Sequence, residues 1–312
     1  MPTQNTSNND RIVLVFGATG QQGGAVATAL REQGWAVRAL VRNPDSERVK
    51  ALAGKGIAVV QGDLSDRASM RNAMTGVYGV FSVQPSSGQG AAYNVTDADE
   101  IRYGKAIADI AVESGVQHLV YTSVNAVGTE KTGMGHFDSK AEIEAYVRDL
   151  DLLATIVRPA AFMELLMLPG MGLERGVFTS FVRTEQRAQI IAVQDIGTIV
   201  ATIFASPDRF VGRTIEIAGD EITGAGLQDS LSRAAARPIT YHRFPDSLLE
   251  ESPFLGRLAA LFDDGRLAGN ADLAALRAEF GKLTSFDDWL NGPGRPLLQA
   301  ALIAGDAPIS LR

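Results

Sequence analysis

Gly17, Gly20 and Gly23 fall three residues apart in FGATGQQGG, just after the apolar run IVLV and just before an alanine-rich stretch. Each glycine in such a series has its own use: a sharp turn off a strand, close approach of the backbone to a pyrophosphate, and tight packing of the next helix on the sheet. The first amides of that helix, with its dipole, make an anion site. The chemistry on offer is the binding of a dinucleotide's phosphates. The spacing is GxxGxxG rather than GxGxxG, and glycine-rich turns of this kind also serve packing alone. A second constellation lies further on. His136 and Lys140 stand one helical turn apart in GHFDSKAE, which puts an imidazole and an ammonium on one face. An imidazole of unperturbed pKa about 6.5 can move protons near neutrality, and Ser123, ending VYTSV, offers a substrate-orienting hydroxyl. Plainer roles compete. His136 is expected to precede the helix start, Ser139 and Glu142 have the spacing of a capping box, and Lys140 with Glu144 that of an ordinary surface pair.

Strands and helices must bring these groups together. RIVLVFGATGQQGGAVATAL reads as strand, turn and helix, and the same rhythm repeats with apolar runs at 36–41, 57–61, 77–83, 118–123 and 153–158. Their continuous hydrophobicity suits strands covered on both faces. Alternation with helical patterns implies a parallel sheet with right-handed crossovers. The expected fold is α/β, a Rossmann-type doubly wound parallel sheet with a smaller, mostly helical C-terminal lobe. Beyond Pro159 the rhythm loosens. Short strands are expected at 178–182, 189–193 and 214–218, and a helix over 195–206 capped by Asp195. Helical patterns then dominate: DSLSRAAA, FLGRLAALF, DLAALRAEF and SFDDWL. Residues 1–10 read as a polar, disordered tail, 11–160 as the dinucleotide-binding domain, and 161–312 as the smaller lobe, some of it rejoining the sheet. The stretch PLLQAALIA is apolar enough to dock on the body or on a partner, which keeps a homodimer open.

Composition narrows the function. The chain has 312 residues, 46% hydrophobic and 21% charged, enough for one large domain or one plus a lobe. Without cysteine, disulfides and thiolate chemistry are excluded, and a cytoplasmic location is the expectation. The polar N-terminus lacks a signal peptide's pattern, and no apolar run approaches a membrane span. A formal net charge of -7 with scattered Lys and Arg argues against general nucleic-acid binding. His118, His136 and His242 show no metal-ligand spacing, so no metal is expected, and a GxSxG elbow is absent.

The end of the second strand meets the adenosine ribose in this fold. Where an acidic residue would accept the ribose hydroxyls stands Arg42, in LVRNP, which suits a 2′-phosphate and so NADP(H). A charge-assisted contact of about 1.5–3 kcal/mol favours NADPH over NADH by roughly 10- to 100-fold. Asp63 and Leu64, closing the third strand, face the adenine, although Asp63 can equally cap the next turn. Val83 and Gln84 lead from the fourth strand into a Ser/Gly-rich loop at 86–94, of a kind ordered by ligands.

FGATGQQGG, LVRNP, QGDLSD, HLVYTSV, HFDSKAEIEAYVR and TIVRPAAFMELL, in this order, resemble an NmrA-like protein of the atypical short-chain dehydrogenase/reductase group over residues 11–219. The nearest likeness is to the HSCARG-like branch, whose members resemble reductases yet act as NADPH sensors or regulators; other relatives reduce quinones, triphenylmethane dyes or phenylpropanoids. The resemblance implies NADP(H) in the cleft, with Gly17, Thr19, Gly20, Gln22 and Gly23 at the pyrophosphate and Arg42 at the 2′-phosphate. It puts Asp63 and Leu64 near adenine, and Val83, Gln84 and Lys140 towards the nicotinamide, where Phe162 is also expected. A typical short-chain reductase uses a tyrosine as proton donor with a lysine four residues later. Here the lysine is kept as Lys140 and His136 occupies the tyrosine's slot, while Tyr121 is expected to point into the core. The sensor branch commonly has an aromatic where Ala161 stands and an asparagine where Glu164 stands. Small Ala160 and Ala161 would open the nicotinamide pocket, with Phe162, Met163 and Met167 either lining it or serving as core, and Glu164 is a general acid or a first-turn helix carboxylate. The expected function is an NADPH-dependent reductase of a small apolar acceptor such as a quinone, enone or imine. A non-catalytic sensor of NADP(H) redox state that regulates a partner protein is the alternative.

Overall fold

The computed structural model describes residues 11–89 and 94–305; the expected tail at 1–10 and residues 90–93 of the 86–94 loop lie outside them. Strands β1 (Ile12–Val15), β2 (Ala36–Val41), β3 (Ala58–Gln61), β4 (Gly79–Ser82), β5 (His118–Thr122) and β6 (Ala154–Pro159) alternate with helices α1 (Gln21–Glu32), α2 (Glu47–Gly54), α3 (Arg67–Met74), α4 (Asp97–Glu113) and α5 (Gly135–Asp149). The chain continues through β7 (Ala161–Phe162), β8 (Val177–Ser180), β9 (Arg187–Ile191), α6 (Val193–Ala205) and α7 (Pro207–Phe210) to β10 (Thr214–Ile217). The main sheet is parallel throughout, in the order β10-β6-β5-β4-β1-β2-β3.

Alternation along the strands builds two cores. Val13 and Val15 point to the face covered by α1, α2 and α6, while Leu14 and Phe16 point to the face covered by α3, α4 and α5. Burial on both faces explains the unbroken apolar runs. The sheet is doubly wound, as the alternation of strand and helix patterns requires. α6 fits closely on α1 because it carries Gly197, where a Cβ would stand 2.5 Å from the carbonyl oxygen of Ala25.

The C-terminal region adds β11 (Asp220–Thr223), α8 (Gly224–Ala235), β12 (Thr240–Arg243), α9 (Asp246–Glu251), α10 (Pro253–Asp263), α11 (Leu273–Phe280), α12 (Phe286–Asn291) and α13 (Arg295–Ile303). It holds two small sheets, β11-β9-β7 and β12-β8, over a third core that includes Met163, Phe178, Leu227 and Trp289. The helices start at their sequence signals: Thr223, Ser252, Asp272 and Ser285 cap α8, α10, α11 and α12. The apolar stretch in α13 docks on the body through Leu298 and Ala301, leaving Ile303 exposed. Among the described residues no helix is long and apolar enough to cross a membrane.

Two expected caps are corrected. α6 begins at Val193, not Asp195, with Ala192 at the cap position; the Asp195 carboxylate instead accepts from the amide and hydroxyl of Thr284. Ser139 lies inside α5, which already starts at Gly135, so the Ser139–Glu142 spacing is no capping box.

Candidate functional site

Gly17, Arg42, Val83 and Ser123 follow the carboxyl ends of β1, β2, β4 and β5, Asp63 and Leu64 that of β3, and His136 and Lys140 lie on α5. After β1 the chain turns at Gly17, whose φ of +62° lies in the left-handed region and whose Cβ would stand 2.7 Å from Cγ1 of Val83. The amide of Gly20 donates to the carbonyl of Gly17 at 2.8 Å, closing the turn. A Cβ on Gly23 would overlap the Gly17 backbone, so this glycine is dictated by helix packing. Gly20 is the N-cap of α1 and no side chain caps it, and Gly17, Thr19 and Gly20 are exposed. The helix thus presents unclaimed amides and its positive dipole end to an open crevice.

Arg42 ends the β2 crossover exposed, and its guanidinium makes no hydrogen bond or ion pair with the described residues. Asp63 accepts from the amide and hydroxyl of Ser65 at 2.7 and 2.6 Å. Those bonds, and more weakly the Arg42 charge, hold its carboxyl below its usual value. Asp63 thus shapes the turn after β3, while Asp66 caps α3. Leu64 packs partly on the second core. Gln84 is buried and donates to Ser82 Oγ at 2.7 Å. Phe162 packs against the first core beside β9, half-buried.

β5 carries two hydroxyls at its carboxyl end. Thr122 Oγ1 donates to Oε1 of Gln22 at 2.8 Å, which ties this strand to the first turn of α1. Ser123 is 4% exposed and its Oγ has no hydrogen-bond partner. A buried hydroxyl without a partner costs stability, so such an atom marks a place where a ligand can complete the bonding. Tyr121 points to the face opposite Thr122, as expected, into the second core, and its hydroxyl too lacks a partner; burial pushes it well above its ordinary pKa.

Lys140 is 18% exposed and is not paired with Glu144. Its ammonium donates to Oε1 of Glu100 at 2.5 Å, to the His136 carbonyl at 3.0 Å and to Ser86 Oγ at 3.4 Å. Glu144 is committed elsewhere, to Arg148 and Arg158. His136 does not precede the helix but sits in the first turn of α5. Its ring lies 4.0 Å from that of Phe137 and 5.8 Å from that of Phe254 on α10, against Gly88.

Met163 and Met167 belong to the C-terminal core, whereas Ala161 lines a small apolar cavity with Leu166, Val182, Ile190, Leu227 and Phe262. Glu164 is a carboxylate in the first turn of the short 3-10 helix Met163–Met167, one of its two expected roles. Both of its oxygens accept from the amide of Val193, at 3.2 and 3.3 Å, so it caps α6 from a neighbouring turn, and burial raises its carboxyl.

Sequence reasoning missed Glu100 and the Thr122–Gln22 bridge. Glu100 had a readable signal: it shares the buried stripe of α4 with Gly104, Ile107, Ala108 and Ala111, where a carboxylate needs a partner.

The chain matches the model of the NmrA-like family over residues 9–287. Over 252 residues it is 30% identical to an NmrA-like family domain-containing oxidoreductase, notA, of Aspergillus sp. (strain MF297-2), covering 73% of this chain and 74% of the relative. Among solved structures it resembles NmrA, a negative transcriptional regulator, in complex with NADP, with a TM-score of 0.75, 20% identity and coverage of 93% and 97% of the two chains. It also resembles the NADPH-dependent quinone oxidoreductase QOR2 of Escherichia coli complexed with NADPH, with a TM-score of 0.72, 24% identity and coverage of 90% and 98%. These structural likenesses establish the fold.

Proposed function

This chain belongs to the NmrA-like family, and from that premise we propose that it binds NADP(H) and is an NADPH-dependent reductase of a small apolar acceptor. One observation carries the reading. The partnerless hydroxyl of Ser123 lies one residue from Thr122, whose hydrogen bond to Gln22 ties the end of β5 to the first turn of α1 beside the glycine turn. The residues present fit the cofactor: an uncapped helix start with Gly20 open to the crevice, and an exposed, unpaired Arg42.

In this reading Gly17, Thr19, Gly20, Gln22 and Gly23 hold the pyrophosphate, Arg42 the 2′-phosphate, and Asp63 and Leu64 border the adenine. Val83, Gln84 and Phe162 wall the nicotinamide end, and Lys140 donates to the ribose. Bound NADPH supplies a hydride. Ser123 donates a hydrogen bond to the oxygen or nitrogen of the acceptor, stabilising the negative charge that develops there. The small side chains of Ala160 and Ala161 leave the acceptor's ring its space beside the nicotinamide end. His136, its ring packed on those of Phe137 and Phe254, orders the start of α5 in this reading.

The test is NADPH oxidation against a panel of quinones, enones and imines, with Lys140→Ala as control. Turnover on at least one acceptor, reduced in the variant, is expected; none on any acceptor removes the reductase.

A second reading is a regulator that binds NADP(H) without turnover and conveys its redox state to a partner protein. It is favoured by His136, which joins the turn at Gly88 to Phe254 of α10 and so gives the cofactor side a direct contact with the C-terminal helices. Cofactor-dependent partner binding without NADPH consumption would select it.

A further inference from the structure

An ammonium has three protons to give. Lys140 directs them at two close acceptors, Glu100 Oε1 at 2.5 Å and the His136 carbonyl at 3.0 Å, and at one distant one, Ser86 Oγ at 3.4 Å. The side chain of Glu100 is 1% exposed, and its other oxygen accepts from Ser139 Oγ at 2.8 Å. Both oxygens of this carboxylate, which projects from α4, are therefore committed to adjacent residues of α5. The two helices are seated firmly at this point: Gly135 leaves no room for a Cβ beside the Asp97 carboxylate, which in turn accepts from Ser87 Oγ at 2.5 Å.

We propose that Glu100 is the positioning residue of Lys140. Together with the His136 carbonyl it pins the ammonium at two points, so that only the proton now aimed at Ser86 turns to a ribose hydroxyl of NADP(H). Lys140 otherwise ends a flexible four-carbon stem, and its three protons would be distributed among water and any nearby oxygen. The pair is neutral as a unit, so what Lys140 offers the ligand is direction more than net charge. Breaking such a pair from one side strands a buried charge, whereas its intact form adds little stability; its value lies in where it holds the ammonium. This proposal rests on the NADP(H) reading above.

NADPH affinity is measured by fluorescence titration for the unmodified protein, Glu100→Gln, Lys140→Met, the double variant and Glu100→Asp. Because Glu100 acts only through Lys140, Glu100→Gln weakens NADPH about 5-fold, Lys140→Met about 10-fold, and the double variant no further than Lys140→Met. Glu100→Asp, which keeps the charge, returns affinity to within about 2-fold of the unmodified protein. Penalties that multiply in the double variant overturn the proposal. So does a Glu100→Asp variant as weak as Glu100→Gln. Lys140 is followed separately, without cofactor, by 15N NMR of its ammonium group: a signal that exchanges slowly in the unmodified protein and is lost in Glu100→Gln is expected, and an unchanged signal is fatal. Absence of NADPH binding by the unmodified protein defeats the functional reading and the ribose step with it, and the NMR arm then reports separately whether Glu100 anchors Lys140.

Discussion

Gly23 packs so closely on Gly17 that a Cβ added to it would stand 2.5 Å from the Gly17 carbonyl carbon, whereas one added to Gly20 would meet only the Gly17 oxygen, at 3.3 Å. Two glycines of one motif therefore serve different ends. The first is steric within the protein; the second leaves space outside it.

Gly23→Ala is expected to destabilise the fold by about 1–3 kcal/mol, the usual cost of forcing atoms into a packed site. Gly20→Ala should change the melting temperature little and yet weaken NADPH markedly, because its methyl group enters the path of the phosphates. Melting curves and titration on the two variants check the separation; Gly20→Ala binding NADPH as tightly as the unmodified protein would refute the phosphate assignment.

Arg42→Ala should erase a preference for NADPH over NADH of roughly 10- to 100-fold, leaving NADH affinity nearly unchanged, since one charge-assisted contact to the 2′-phosphate is lost. Calorimetric titration with both cofactors decides it. Equal affinities before mutation would rule out the contact.

Ser123→Ala removes a buried hydroxyl that lacks a partner, so stability should hold or rise by up to about 1 kcal/mol. Turnover on a responsive acceptor should fall about 10- to 100-fold, as when a hydrogen bond to developing charge is lost. His136→Phe keeps the aromatic packing and should retain kcat within about 3-fold, whereas a proton donor's loss typically costs about 100-fold or more. Steady-state kinetics beside thermal melts test both.

His118 is buried, with Nε2 2.9 Å from Thr155 Oγ1, and burial depresses its pKa from 6.5 to about 4. The unfolded chain thus binds a proton between these two values that the folded protein refuses, so stability falls as pH drops through this window, by up to about 3 kcal/mol. Urea melts at pH 7 and pH 4.5 should show this loss, and His118→Gln should lose less over the same range. An identical loss in the variant would contradict the assignment.

Much of the sheet was legible because its strands are buried on both faces and its first turn is punctuated by glycine. Each expected strand lies within two residues of an observed one. What the sequence hid were bonds between distant elements. Asp195 and Ser139 looked like caps because a cap and an interior polar residue share the same letters; only Thr284 and Glu100, far along the chain, reveal their partners. Glu164 reads as a residue of its own turn, yet it serves the helix at Val193. For His136 the local pattern suggested an acid, and its packing on Phe254 depends on a helix more than a hundred residues away. Lys140 was found from spacing with His136, while its strongest partner sits on another helix and carries no spacing relation to it.

β10 occupies the margin of the main sheet and bonds there to β6 alone, although the whole β7–β9 segment and α6 intervene between the two strands. A fragment trimmed after Pro159 would therefore have a ragged border of bare amides and carbonyls along β6 and a naked apolar flank on α1, an invitation to stick to other chains. Dissection experiments that hope to separate nucleotide binding from whatever the rest of the molecule does will have to work by point substitution rather than by scissors.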